Sequence, residues 1–193
     1  MTQNTSYITN PSFPTAYTTA GSCAFSVTPL SSNICQLRLD FTSFVTGVTT
    51  ADGTCADSLA IVVGSKLAYP GICGTNTGEH IYLETGQSTS AQTLTFTVAS
   101  SVTFKILVHQ IPCGVNYAAP SDCLQYFTGE VGRARTFNFD GQIVLVNQQY
   151  TQCVRQESGY CGIMWSETQG ISGKDTFKLS ADATALTVNV SFH

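Results

Sequence analysis

Charged residues are scarce in this 193-residue chain. Asp, Glu, Lys and Arg together make up 10 % of it, against roughly 25 % in an ordinary soluble domain. The eight basic residues form no cluster beyond the neighbouring Arg133 and Arg135, and the formal net charge is −4. Because nucleic-acid binding depends on basic side chains that neutralise phosphates, we expect no nucleic-acid partner.

Long apolar runs and catalytic signatures are also missing. No stretch approaches the roughly 20 apolar residues of a membrane-spanning helix, so we expect no membrane span. The chain contains no G-x-S-x-G, no H-E-x-x-H and no glycine-rich phosphate loop. We therefore expect His80 and His109 to be structural or exposed, and we predict no catalytic residue and no enzymatic activity. A hydrolase with an unfamiliar site is an alternative that would need a pocket holding two strongly perturbed acids.

Cysteine, in contrast, is plentiful. No two cysteines have the two-residue spacing of a zinc knuckle or a redox motif, and none lies at ligand spacing from a histidine. Disulfides are therefore favoured over metal ligation, and disulfides persist mainly in oxidising compartments. This predicts a secreted, extracellular protein. The cysteines are Cys23, Cys35, Cys55, Cys73, Cys113, Cys123, Cys153 and Cys161.

The order of the cysteines favours pairing each one with its neighbour. Between Cys23 and Cys35 lie an alternating run, a turn and a second alternating run, a pattern typical of a hairpin. Antiparallel pairing about that turn would bring the two cysteines into register. The stretch from Cys153 to Cys161 repeats the pattern. The predicted bridges are Cys23–Cys35, Cys55–Cys73, Cys113–Cys123 and Cys153–Cys161.

Short runs of β-branched and aromatic residues between turn signals predict an all-β protein. Predicted strands of the first half cover residues 58–63, 81–84, 93–98 and 102–108. Those of the second half cover residues 124–127, 136–139, 142–145, 151–155, 162–165 and 186–191. Two alternating sets should face one core, namely Leu94, Phe96 and Val98 with Phe104, Ile106 and Val108.

A turn-rich stretch after Pro112 separates the chain into two halves that carry four cysteines each. Gly114, Pro120 and Asp122 all fall within it. We therefore predict two disulfide-stapled β-sandwich units in tandem, over residues 1–112 and 113–193.

The first half carries motifs in an order similar to that of CUB domains. Residues 10–17 (NPSFPTAY) resemble the opening of the family, and residues 23–27 (CAFSV) resemble the motif at its first cysteine. Residues 37–44 and 55–62 resemble two of its strands, and residues 72–74 (ICG) match the motif that closes the second bridge. Through residues 123–129 and 155–163, the second half resembles the divergent or shortened second unit of tandem CUB-like secreted arthropod proteins.

The resemblance implies two CUB-type jelly-roll sandwiches. It also raises the question whether this chain has the acidic residues that bind Ca²⁺ in many members of the family. Many CUB domains hold Ca²⁺ through one Glu and two Asp. Asp57 occupies the central position, but residues 45–48 and Ser100-Ser101 stand where the other acids are expected. Because Ca²⁺ prefers several carboxylates, Asp57 is only a weak metal candidate, and we expect no cofactor.

CUB domains are extracellular binding and oligomerisation modules, so the resemblance implies a secreted, non-enzymatic module that binds protein or glycan. Self-association into a homo-oligomer is one version of this role, because low charge leaves edge strands open to pairing. The alternative is an accessory CUB region of a larger secreted protease or venom-type protein. We expect Trp165 in a core rather than as a sugar-stacking platform. Asn4 and Asn189 begin N-glycosylation sequons.

Overall fold

The computed structural model describes residues 5–47, 53–63, 66–141 and 143–166, and these residues form an all-β structure. This confirms the predicted fold class. No helix in the described part of the chain is long and apolar enough to cross a membrane. The strands are β1 (Thr5–Thr9), β2 (Gly21–Val27), β3 (Ile34–Thr46), β4 (Ser58–Val63), β5 (Lys66–Ile72), β6 (His80–Glu84), β7 (Gln92–Val98), β8 (Val102–Pro112), β9 (Gln125–Phe127) and β10 (Gln152–Val154).

Eight of these strands form two four-stranded antiparallel sheets. The first sheet has the order β1-β8-β3-β6 and the second the order β2-β7-β4-β5. β9 and β10 form a separate parallel pair. The four predicted strands of the first half all fall within β4, β6, β7 and β8.

The alternating apolar residues meet between the two sheets, as predicted. Phe96 of β7 and Phe104 of β8 are both fully buried, and their rings stack with centroids 3.8 Å apart. Phe44 of β3 lies 6.2 Å from Phe96. Burying a side chain of this size stabilises the fold by roughly 2–3 kcal/mol. The aromatic contacts therefore hold the sheets face to face.

Residues 113–166 contribute side chains to this same core. Phe137 and Leu145 are buried in it, and the ring of Phe137 lies 6.0 Å from that of Tyr69 in β5. A second, smaller cluster joins Tyr82 and Ile111 of the first sheet to Ala119, Cys123 and Tyr126. The described part of the second half thus packs against the first sandwich. The predicted division between residues 112 and 113 stays a prediction.

Several strands predicted in the second half were wrong. The predicted strands over residues 124–127 and 151–155 appear as β9 and β10, but residues 136–139, 143–145 and 162–165 form none. Asn138 adopts the left-handed conformation with φ 61°, which interrupts an extended run. Phe137 and Leu145 act as anchors into the core instead. The predicted strand at residues 186–191 lies outside the described residues.

Three of the four predicted disulfide pairings were wrong. Cys55–Cys73 forms as predicted, but Cys35 pairs with Cys113. Because β3 and β8 are antiparallel neighbours with Ile34 opposite Pro112, these two cysteines come within 4.8 Å between Cα atoms despite 78 residues of separation. The predicted Cys23–Cys35 hairpin fails because β2 and β3 belong to different sheets.

In the second half, Cys123, two residues before β9, pairs with Cys153 of β10. This replaces the predicted Cys113–Cys123 and Cys153–Cys161 bridges. Among the described residues, Cys23 and Cys161 carry free thiols. Cys23 is half-buried on β2, and Cys161 is exposed in an irregular segment.

Candidate functional site

The first sheet presents a face of charged and aromatic side chains away from the core. Alternation along β3 turns Leu37, Leu39 and Phe41 inward and leaves Arg38 and Asp40 on the opposite side. Strand register then places neighbours beside them, since Arg38 lies opposite both His109 of β8 and Tyr82 of β6. We call the following set the outer face: Tyr7, Arg38, Asp40, Tyr82, Lys105 and His109.

A row of polar contacts runs across the middle of the outer face. The Arg38 guanidinium donates to Asp40, with Nη2 2.7 Å and Nε 3.0 Å from Oδ1. Arg38 Nη1 donates to the Tyr82 hydroxyl at 3.1 Å, and the guanidinium carbon lies 5.5 Å from the centre of that ring. On the other side, His109 Nε2 is 3.4 Å from Asp40 Oδ2. Because 37 % of the Arg38 side chain stays exposed, the part of the row formed by Arg38, Asp40 and His109 is both ordered and accessible, whereas Tyr82 is buried.

Lys105 and Tyr7 form the second part of the outer face. Tyr7 is 56 % exposed, and Lys105 Nζ lies 4.4 Å from the centre of its ring. The Phe13 ring is 6.0 Å from the same ammonium group. An ammonium group at this distance is attracted by the electron-rich ring face. Lys105 is thereby held in place while Tyr7 presents its ring to solvent.

His80 is held by the backbone of the second half. It is buried between the first sheet and β9, where its Nε2 is 3.0 Å from the carbonyl oxygen and 3.2 Å from the nitrogen of Tyr126. Burial lowers the pKa of His80, and the nearby Arg38 lowers it further, against smaller opposing effects of Tyr126 and Asp40. His80 therefore acts as a neutral tether between β6 and β9.

A buried ion pair between Glu79 and Arg135 fixes the second half to the residue that precedes β6. Glu79, which is 7 % exposed, accepts from Arg135, with Nη2 and Oε1 2.7 Å apart. Gln125 donates to the other Glu79 oxygen at 3.0 Å, and Arg135 also reaches Asp140 at 3.0 Å. A buried carboxylate needs such partners to offset the loss of water. Of the neighbouring Arg133 and Arg135, only Arg135 is used in this way.

Asp57 is a structural residue in this chain. It is fully buried, and its two carboxylate oxygens accept from the backbone N–H groups of Ala99, Ser100 and Ser101 and from the Ser100 hydroxyl. Burial raises the pKa of Asp57, but the hydrogen bonds from Ser100, Ala99 and Ser101 outweigh it, so the pKa lies below its usual value. The carboxylate holds the turn between β7 and β8.

Among the described residues, the surroundings of Asp57 do not fit a calcium ion. Gly47 approaches so closely that a Cβ atom there would stand 1.9 Å from Asp57 Oδ2 and 1.8 Å from Ser100 Oγ. A hard cation of this type needs six to eight oxygens including several carboxylates. Here one carboxylate is already surrounded by donors.

The remaining predicted positions are Trp165 and the two glycosylation sequons. Trp165 is 59 % exposed in a segment without regular structure, so the predicted core position was wrong. Asn4 and Asn189 lie outside the described residues. Tyr7 and Tyr82 went unnoticed in the sequence, because their importance depends on neighbours from other strands. Strand alternation could have placed Arg38 and Asp40 on one face.

Two family profiles match the chain. The CUB domain family matches residues 1–106, and the animal CUB domain family matches residues 120–191. No curated protein matches the chain.

Solved structures of multidomain proteins are also similar to the chain. The extracellular region of zebrafish Gpr126/Adgrg6 is 16 % identical with a TM-score of 0.44, over 57 % of this chain and 14 % of that protein. The CUB1-EGF-CUB2 region of rat MASP-1 is 14 % identical with a TM-score of 0.44, over 67 % of this chain and 49 % of that one. For human MASP-1/3 CUB1-EGF-CUB2 the values are 13 %, 0.44, 66 % and 61 %. The chain therefore spans less than two thirds of each.

Proposed function

The chain belongs to the CUB domain family, whose members generally mediate protein interactions, and we propose that it is a secreted, non-enzymatic module that binds an extracellular protein through the outer face. Assembly with a second copy is part of this proposed role. Glycan binding is the competing version of the role, and the experiment below separates the two.

The observation that carries the proposal is the accessible row of Arg38, Asp40 and His109 beside exposed Tyr7. Arg and Tyr are enriched among the residues that dominate protein interfaces, because each combines a large contact area with directional hydrogen bonding. Contacts within the outer face hold Arg38 against Asp40 and Lys105 against Tyr7 before binding. Less side-chain entropy is then lost when a partner docks.

Two features support a binding role over catalysis. His80 is buried and hydrogen-bonded to the backbone of Tyr126, so its nitrogen is not available to a substrate. Asp57 has a lowered pKa and is enclosed by hydrogen-bond donors, whereas a general acid needs a raised pKa and an open position. These features favour a module without cofactor or catalytic residue.

Secretion is supported by the disulfides. Cys35–Cys113, Cys55–Cys73 and Cys123–Cys153 join separate parts of the described chain. CUB domains with disulfides are typically extracellular, in agreement with the oxidising compartments in which such bridges persist. A secreted module meets its partners outside the cell.

The proposal is tested by screening the purified, oxidised chain against displayed extracellular protein domains and against a glycan array. We expect saturable binding to one or more protein domains and none to glycans. A panel of ester, peptide and glycoside substrates is run in parallel, and no turnover is expected. Binding to glycans alone, or turnover that persists after further purification, would overturn the proposal.

A further inference from the structure

The two sheets have four edge strands, and three of them are covered or short. β6 is capped by the second half, since the Tyr82 N–H donates to the Leu124 carbonyl at 2.7 Å. β5 contains Lys66 and Pro70, has two register irregularities against β4, and is contacted by Gln148 at Gly71. Within the described residues, β1 spans five positions. Charges, proline, bulges and shortness are the devices that keep sheet edges from pairing with other chains.

β2 has none of these protections. It pairs with β7 over seven consecutive residues, Gly21 to Val27, without a register shift, and it carries no charge and no proline. Among the strands that the structure describes, none pairs with its other edge. Half of its backbone N–H and C=O groups therefore face away from β7, and in the described part of the chain they have no strand partner.

The side chains of β2 leave room for a close approach. Ser22, Ala24 and Ser26 are small and exposed on the outward side, whereas Cys23 and Phe25 point inward and remain half-buried. An open groove of about 690 Å³ runs beside them, between the end of β1 and β2. Phe13 and Asn10 line its other side. The groove therefore leaves open space beside Cys23 at the edge where a further strand would lie.

We propose that β2 pairs with β2 of a second copy in an antiparallel arrangement centred on Ala24, so that the sheet continues across a two-fold axis. This inference deepens the assembly part of the proposed function and rests on it. The pairing places Ala24 opposite its own counterpart and Ser22 opposite Ser26 of the second copy. Inward, Phe25 of the second copy lies opposite Cys23 beside the groove, while its ring keeps its edge contacts with Phe96 and Phe104 of its own copy.

The sequence of β2 is complementary to itself in this register. Small side chains meet small ones on the outward side, where Ser22, Ala24 and Ser26 are all exposed. A thiol meets an aromatic ring on the inward side, which is a favourable contact. The neutral strands do not repel one another, and a two-fold interface uses the same patch of both copies. These features favour a second copy as the occupant of the edge.

Disulfide trapping tests the register directly. In a full-length background with Cys23→Ser and Cys161→Ser, the variant Ala24→Cys places two new thiols opposite one another, within the Cα spacing of roughly 4.4–6.8 Å that a bridge needs. Glutathione disulfide serves as the oxidant. Two thiols lose two electrons and two protons as the S–S bond forms, and the glutathione disulfide is reduced to two glutathione thiols. We expect a covalent dimer that reducing agent separates.

Matched variants in the same background give the controls. Ser22→Cys alone should not bridge, because the two copies of residue 22 would be roughly 13 Å apart along the strands. A mixture of Ser22→Cys and Ser26→Cys chains should bridge each variant to the other. Bridging by Ser22→Cys alone as efficiently as by Ala24→Cys, or failure of both Ala24→Cys and the mixture, would overturn the proposed register.

Sedimentation velocity of the unmodified chain supplies the second readout. Ala24→Lys sets two like charges opposite each other, so we expect its dimer dissociation constant to rise at least tenfold, while Thr97→Lys on neighbouring β7 leaves it unchanged. Equal effects of both variants, or a monomer at all concentrations, would overturn the inference. The proposed function would still stand if the chain bound a displayed extracellular protein; it fails separately if no protein is bound.

Discussion

Asn138 places its side-chain oxygen beside Gly74, at the point where a Cβ atom of residue 74 would stand. A Cβ atom there would be 1.9 Å from Asn138 Oδ1 and 2.9 Å from Asn138 Cβ. The same oxygen accepts from the Thr75 N–H at 2.9 Å, and the Asn138 N–H donates to Asn76 Oδ1 at 2.6 Å. The missing side chain at residue 74 therefore lets the second half dock on the sandwich.

Gly74→Ala should destabilise the protein by roughly 2–4 kcal/mol. One part of the cost is the clash with Asn138, and the other is the left-handed φ of 81° at residue 74, which a side chain disfavours. Gly78 is a matched control, because it has φ 89° but nothing within 4 Å of an added Cβ atom. Gly78→Ala should cost only about 1–2 kcal/mol in urea unfolding. Equal losses for the two variants would contradict the proposed docking contact.

The disulfide pairing is tested by removing one bridge at a time, with both of its cysteines replaced together. In the chain-entropy model, the Cys35–Cys113 bridge across 78 residues contributes roughly 4–5 kcal/mol, and the Cys55–Cys73 bridge across 18 residues about 3 kcal/mol. The double variant Cys35→Ala, Cys113→Ala should therefore lose more unfolding free energy than Cys55→Ala, Cys73→Ala. Peptide mapping without reduction should recover Cys35 linked to Cys113. A Cys23–Cys35 peptide would contradict the described pairing.

Asp57 should make the stability depend on pH in the acid range. Its pKa is lowered in the folded state below the usual value of about 3.9, so the stabilisation is present above that value and is lost as the pH falls through the folded pKa. Asp57→Asn should lower the melting temperature at neutral pH and flatten its decline towards pH about 2.5. Ser100→Ala removes one of the hydrogen bonds and should give an intermediate slope. A slope in Asp57→Asn as steep as that of the wild type would count against this role.

His80 should contribute a second, milder dependence. Its pKa is lowered in the folded state, so below about pH 6.5 the unfolded chain takes up the proton more readily and the stability decreases with falling pH. His80→Gln can keep a hydrogen bond to Tyr126 but cannot gain a charge. Between pH about 7.5 and about 5.5, the variant should lose less unfolding free energy in urea than the wild type. An equal loss of unfolding free energy in the two proteins would show that the pKa of His80 is not lowered by folding.

The first sandwich could be predicted from the sequence because its signal is local. Leu94, Phe96 and Val98 alternate with Thr side chains along β7, and all three are buried in the core. The disulfides could not be predicted in the same way. The alternating runs around Cys23 and Cys35 indicate two strands, but they do not say whether consecutive strands share a sheet or cross to the opposite one.

In the second half too, local sequence patterns do not show which distant residues a segment contacts. Phe137 and Leu145 sit in short apolar runs that suggest strands, yet each serves as an anchor in the core of the first sandwich. On the outer face, alternation alone puts Arg38 beside Asp40. The contacts of Arg38 with Tyr82 and of Asp40 with His109 depend on strands that lie more than 40 residues away in the sequence.

The most direct test of the proposed role compares the affinity of outer-face variants for a displayed extracellular protein that binds the wild type. The double variant Tyr7→Ala, Arg38→Ala removes the two accessible side chains expected to dominate the interface, and Arg133→Ala removes an exposed arginine outside it. Surface plasmon resonance should show a dissociation constant raised at least about thirtyfold for the double variant and unchanged for Arg133→Ala. Equal affinities for all three folded chains would contradict binding through the outer face.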